Sequence, residues 1–147
     1  MAKKKIRLEN LDAVIFDFDG VLTDNRVYLD SKGTEFVSCC RGDGLAFDVL
    51  RALGKPTYIL SSEKNPVVTK RAKKLRVPAL QSIKNKADAL SDLVAEKGYR
   101  LENILYVGND LNDYSALTMC GYSACPADSH KRIREKATVV LTTLGGA

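Results

Sequence analysis

The chain is poor in the residues that build zinc sites and disulfide frameworks. It has one histidine, His130, and its four cysteines (Cys39, Cys40, Cys120, Cys125) include no C-x-x-C pair. A zinc site is therefore not expected, since such sites draw on clustered Cys and His. The cysteines read instead as buried, reduced thiols. No apolar run approaches the roughly 20 residues of a membrane span. The opening stretch, MAKKKIRLENLD, lacks the apolar centre of a signal peptide. These absences predict a cytoplasmic protein with no membrane association.

What is present is ordinary for a globular protein: 147 residues, 45% hydrophobic and 28% charged, long enough for one domain over residues 1–147 with a sizeable core. The net charge of +5 raises the question of nucleic acid. The basic residues are scattered, however, with local runs only at Lys3 to Lys5 and in TKRAKKLR. The second run lies on a predicted helix whose other face carries Val67, Val68, Ala72 and Leu75. No aromatic residues are interleaved with it to stack on bases, so a solvated helix face is expected and no nucleic-acid partner. A positive field of this kind still draws in anionic substrates.

Strand-like apolar runs alternate with helical patterns. DAVIFDF reads as a strand. In DGLAFDVLRALG, residues Leu45, Ala46, Val49, Leu50 and Leu53 make one apolar helix face, stopped by Gly54 with Pro56 behind it. Then come TYIL (strand), 66–76 (helix), VPAL (strand), 86–97 (helix), NILYVG (strand), LNDYSALTMCG (helix), YSAC (strand), 129–136 (helix) and ATVVLT (strand). This alternation predicts an α/β fold, a mainly parallel sheet with helices on both faces. One interruption, about 25–41, holds two β-rich runs around DSKG and reads as a hairpin flap, either a wall of the site or a surface hairpin without a role.

In open parallel sheets ligands bind beyond the carboxyl ends of the strands. After the first predicted strand come Asp17 and Asp19, after TYIL come Ser61, Ser62 and Glu63, and after NILYV come Gly108, Asn109, Asp110 and Asp113. Lys86 begins the helix after VPAL, with Asn85 as its expected N-cap. Singly, each is an ordinary loop or cap residue; Ser61 would serve equally as a helix cap. Together they differ, because acids gathered at one edge repel unless a cation neutralises them. Oxygen donors of this kind suit a hard ion such as Mg²⁺, and an ammonium and a hydroxyl suit a phosphoryl group.

DFDGVLTD (17–24), ILSSE (59–63), Lys86 and VGNDLND (107–113) resemble, in order, the four motifs of the haloacid dehalogenase (HAD) superfamily of phosphotransferases. The resemblance covers residues 12 to about 145. It implies a Rossmann-like sheet. The 18 residues between Asp24 and Asp43, and the 24 between Ser61 and Lys86, leave no room for a cap domain. The chain is thus similar to the capless branch that contains 3-deoxy-octulosonate 8-phosphate phosphatases, nonulosonate 9-phosphate phosphatases and C-terminal domains of some CMP-sialate synthetases. CRGDGLAF, NPVVTKRAKKL and YVGNDLND look especially close to the sialate-related group.

That resemblance implies Asp17 as nucleophile and Asp19 as general acid and base. It implies Mg²⁺ on Asp17, the Asp19 carbonyl and Asn109, and phosphoryl binding by Ser61 and Lys86. Asp110 and Asp113 would sit behind Asn109 or orient Lys86. It also implies a homotetramer and a sugar-acid phosphate as substrate, with a CMP-sialate synthetase as a possible partner. Three features depart from the branch. Asn109 stands where most relatives have aspartate, which lowers the expected metal affinity. Glu63 replaces an arginine of the octulosonate phosphatases, which favours a nonulosonate as substrate and places Glu63 at the substrate. The sequence also stops at TTLGGA, where relatives continue with a glycine-rich stretch, an arginine and a helix. The expected activity is hydrolysis of a nonulosonic acid 9-phosphate, with the octulosonate 8-phosphate as the second reading. A weakly active or inactive tetramerisation domain associated with a CMP-sialate synthetase is the third.

Overall fold

The structure, a computed structural model, describes residues 4–147, so Lys3 of the first basic run lies outside the described residues. Its centre is β1 (Ala13–Phe16), the apolar run AVIF. β1 is flanked by two strands that run parallel to it, β4 (Thr57–Leu60) and β6 (Ile104–Val107). With β5 (Ala79–Leu80), β7 (Tyr122–Cys125) and β8 (Val139–Val140) they form one six-stranded parallel sheet in the order β5-β4-β1-β6-β7-β8.

Alternation along β1 divides its side chains between two layers. Ala13 and Ile15 pack with Tyr58, Leu60, Tyr106 and helices α3 (Lys86–Lys97) and α4 (Tyr114–Met119). Phe16 faces the other layer, with Ile59, α1 (Asp43–Ala52) and α2 (Val67–Leu75). The fifth helical segment of the alternation is α5 (Lys131–Lys136), before β8. The expected α/β architecture with helices on both faces is therefore present, and only a hairpin and α2 with β5 fill the two intervals that a cap would need. Among the described residues no helix is long and apolar enough to cross a membrane.

The hairpin joins β2 (Tyr28–Leu29) to β3 (Glu35–Phe36), antiparallel. Asp30 sets its turn: Oδ1 accepts the N–H groups of Lys32 and Thr34 at 2.8 and 2.9 Å. Its large side chains point to solvent, with Tyr28, Leu29 and Phe36 all more than half exposed.

One expectation is corrected. The face of α1 made by Leu45, Val49 and Leu53 is not the buried one; Leu45 is 73% exposed. The helix instead buries Phe47, whose ring meets Phe16 edge-on at 5.2 Å, with Leu50 beside it. The aromatic ring offers more surface to the sheet than any leucine, and a residue at 47 faces opposite to the 45/49/53 stripe. By contrast, α2 buries Val68, Ala72 and Leu75 as its pattern predicts.

Candidate active site

Chain order in the sheet reverses at β1: the chain first moves out through β4 and β5, then returns to the other side through β6, β7 and β8. A crevice opens at such a reversal, at the carboxyl ends of the strands. Asp17, Asp19, Ser61, Glu63, Asn109 and Asp110 line one cleft there, together with Asn25, Ser62 and Asn112. Lys86 and Asp113 lie beneath it.

Asp17 follows β1 directly, and its N–H continues the ladder to Val107 O at 2.9 Å. Its Oδ1 accepts from Phe18 N–H and from Lys86 Nζ, both at 2.7 Å. Lys86 Nζ also donates to Asp113 Oδ1 at 2.7 Å. Asp113 Oδ1 receives a second bond from the Tyr106 hydroxyl, and its Oδ2 takes the N–H groups of Asn109 and Asp110. Asp17, Lys86 and Asp113 are all buried, Asp113 completely. One ammonium thus lies between two buried carboxylates, a net negative charge inside the protein.

The ionisation follows from that charge count. Burial, with Asp113 adding to it, pushes the Asp17 carboxyl up to about 8 against the pull of Lys86. Burial alone would lower Lys86, but Asp17 and Asp113 outweigh it and hold the ammonium above its usual range. Burial and then Glu63 raise Asp19, again against Lys86.

Local sequence places each group. Asn85 Oδ1 caps α3 through Asp88 N–H at 3.1 Å, which fixes Lys86 in the first helical turn. The turn after β1 is closed by Phe18 O and by Thr23 Oγ1, which accepts from Gly20 N–H at 3.0 Å and Asn25 N–H at 3.2 Å. Gly20 has φ +82°, and a Cβ there would collide with the Asn109 amide. Gly108 is equally constrained, since its Cβ would stand 2.7 Å from Asp113 Cγ.

Ser61 does not cap a helix; its Oγ accepts Glu63 N–H at 3.1 Å and its own hydrogen is left for the cleft. Glu63 Oε1 accepts the N–H groups of Lys64 and Asn65 at 2.7 and 2.8 Å, so the carboxylate is held in the cleft wall. Asp110 lies at the rim, its Oδ1 accepting Leu111 N–H at 2.7 Å. His130 begins α5, its Nδ1 accepting Arg132 N–H. Sequence reasoning overlooked Tyr106, Thr23, Asn25 and Asn112. Tyr106 sits within an apolar strand and carried no polar signal, whereas Asn112 stood inside the VGNDLND motif and was within reach.

Asn109 Oδ1 is buried and has no hydrogen-bond partner among the described residues. A lone buried acceptor costs free energy unless something donates to it or it binds a cation. Among the described residues no three His, Cys, Asp or Glu side chains cluster as metal ligands, so a cation here would rely on an amide and main-chain oxygen besides carboxylates. Asp17, Asp19 and this amide oxygen in one cleft form a hard, net-negative donor set, and they fit Mg²⁺.

Comparison with known proteins shows the family. Residues 62–144 match the haloacid dehalogenase-like hydrolase family. A 3-deoxy-D-manno-octulosonate 8-phosphate phosphatase from Haemophilus influenzae is 33% identical over 141 residues, covering 95% of this chain and 78% of that protein. Among solved structures, a chain from Streptomyces avermitilis ascribed to the HAD family hydrolases superposes with TM-score 0.96 at 44% identity, covering 99% of this chain and 84% of its own. The Moraxella catarrhalis octulosonate phosphatase, in complex with magnesium ion, phosphate ion and KDO, gives TM-score 0.89 at 28% identity, covering 93% and 79%. In sequence and in fold, the chain belongs to the haloacid dehalogenase-like hydrolases, in keeping with their capless branch.

Proposed function

We propose that the protein is a Mg²⁺-dependent phosphatase that hydrolyses a sugar-acid phosphate, with a nonulosonic acid 9-phosphate as the preferred substrate. The observation that carries this reading is the buried Asp17–Lys86–Asp113 array beside the unpartnered Asn109 oxygen.

Asp17 is fixed by Lys86 and the Phe18 N–H, so its carboxylate attacks phosphorus in line and forms an aspartyl-phosphate. Asp19, whose raised pKa keeps a proton available, protonates the leaving sugar oxygen and then takes a proton from the attacking water. The Ser61 hydroxyl and the Lys86 ammonium hold phosphoryl oxygens and stabilise the charge that develops on them. Asp17, the Asp19 carbonyl and Asn109 Oδ1 hold Mg²⁺, which when bound offsets the charge of carboxylate and phosphoryl group. Asp113 orients Lys86 and ties down the Asn109 loop. The magnesium, phosphate and KDO of the Moraxella relative support the metal and the substrate class.

Glu63 favours the nonulosonate, because a carboxylate in the cleft wall repels a substrate carboxylate and accepts from hydroxyl or N-acyl groups instead. The octulosonate 8-phosphate is the second reading, favoured by the names of the relatives. The exposed stripe of α1 and the apolar outer side of the hairpin support a homotetramer, since exposed apolar surface of this extent marks an interface. A tetramerisation domain serving a CMP-sialate synthetase would need those surfaces but not the buried array. The test is phosphate release from a panel of sugar-acid phosphates with Mg²⁺, comparing wild type with Asp17→Asn, with gel filtration for the assembly. Nonulosonate 9-phosphate is expected to turn over fastest, with no turnover by Asp17→Asn. A folded wild type that hydrolyses none of the panel would refute the proposal.

A further inference from the structure

The stretch after β8 does not trail away from the sheet; it runs back across the carboxyl edge and lies on the turn that follows β1. Leu141 N–H bonds Cys125 O at 2.8 Å, and Thr143 O accepts Ala127 N–H at 2.9 Å. Gly145 N–H then donates to Asp128 Oδ1 at 3.0 Å, and Gly146 N–H to Val21 O at 3.0 Å. Both glycines lie flat against the turn. A Cβ on Gly145 would run into the Gly20 carbonyl and stand 3.0 Å from Thr23 O, while one on Gly146 would stand 2.5 Å from Asp24 N. Only Gly146 has a left-handed φ, +70°, so at Gly145 the constraint is contact alone.

The turn has no slack on its other side, because there Gly20 is pressed against the Asn109 side chain. Asn109 is in turn tied to the 126–130 loop, through Asn109 O and His130 N–H at 2.9 Å. Displacing the turn therefore moves the Asp19 carbonyl and the Asn109 amide relative to each other. A packed interior transmits such a displacement instead of absorbing it.

We infer that Gly145 and Gly146 are positioning residues for the metal site: they clamp the Gly20–Asp24 turn against Asn109 and so set the spacing of the oxygen donors. The inference rests on the proposed reading of Asn109 and Asp19 as metal donors. Support groups one step removed from a metal typically change its affinity 10- to 100-fold when altered.

The test measures Mg²⁺ binding by calorimetry, and thermal unfolding beside it, for wild type, Gly145→Ala, Asp128→Ala, Asn109→Ala and Gly54→Ala. Gly54 has φ +67° but open space around it, so its variant reports the effect of backbone strain remote from the site. Gly145→Ala is expected to weaken Mg²⁺ binding about tenfold or more. Asp128→Ala, an exposed change that only frees the Gly145 N–H, should weaken it in the same direction but less. Gly54→Ala should lower the melting temperature and leave Mg²⁺ affinity alone. If Gly145→Ala binds like wild type while Asn109→Ala does not, the clamp is refuted and the metal reading stands. If neither variant changes affinity, both fall. Should Gly145→Ala fail to fold, Asp128→Ala decides, and wild-type affinity there refutes the clamp.

Discussion

Lys86 holds its charge in a place where two physical effects oppose it: burial, and the positive end of α3, in whose first turn it lies. Two carboxylates at 2.7 Å reverse the balance. This is how a cation can be held at the floor of a cleft with its geometry fixed, ready for an anionic group. Glu63 acts on a neighbouring titration, since it is the second contribution, after burial, that raises Asp19. Glu63→Gln removes that charge, so the Asp19 pKa falls. A general acid must be protonated to act, so the alkaline limb of the pH dependence of kcat/KM should move to lower pH in this variant. A limb that stays in place or moves upward would show that Asp19 is not the titrating acid, or that Glu63 does not reach it.

Helix α1 shows what an element owes to its surroundings. Phe47 and Leu45 lie two residues apart, both apolar, and the sheet takes one and leaves the other to solvent. Phe47→Ala is expected to cost about 3–5 kcal/mol in urea unfolding, whereas Leu45→Ala should stay within about 0.5 kcal/mol in dilute solution. Comparable losses from both would mean that the helix is rotated from the position described. The pattern of α1 was legible as a helix but not as an orientation, because Leu45, Val49 and Leu53 repeat at helical spacing as well as any core stripe does. On α2 the alternative face is lysine-rich, so the pattern had one reading and the structure follows it. The hairpin was legible from its Asp30–Gly33 turn, but not the outward direction of its large side chains.

Across the molecule, Asp17 and Asp113 converge on a single ammonium with Asp19 within its field, and the excess negative charge makes proton and metal compete. Asp17 titrates at about 8 in the metal-free folded chain against an ordinary 3.8. Between those values the folded chain holds a proton that the unfolded chain has released, so on this account metal-free stability falls as pH rises through the window and levels off above it. Mg²⁺ takes the place of that proton. The rise in melting temperature on adding Mg²⁺ should therefore be larger at about pH 8 than at about pH 5.5, and the difference should shrink in Asp17→Asn. Melting curves at the two pH values check it; a larger rise at the lower pH would contradict the charge balance described.

The sequence by itself determined the order of strands and helices, the carboxyl-edge location of Asp17, Ser61 and Asn109, and the start of α3 at Lys86 behind its Asn85 cap. These follow from local rules: apolar runs, helical spacing, and capping side chains acting within four residues. Only the tertiary structure decided the rest: which face of α1 is buried, the Tyr106 hydroxyl on Asp113, the missing partner of Asn109 Oδ1, and Gly145–Gly146 against the Gly20 turn. Each of these is a contact between elements that need not be neighbours along the chain, and its energy depends on what the sheet brings alongside. Periodicity and capping register only a residue's own neighbours, so no local pattern could have carried that information.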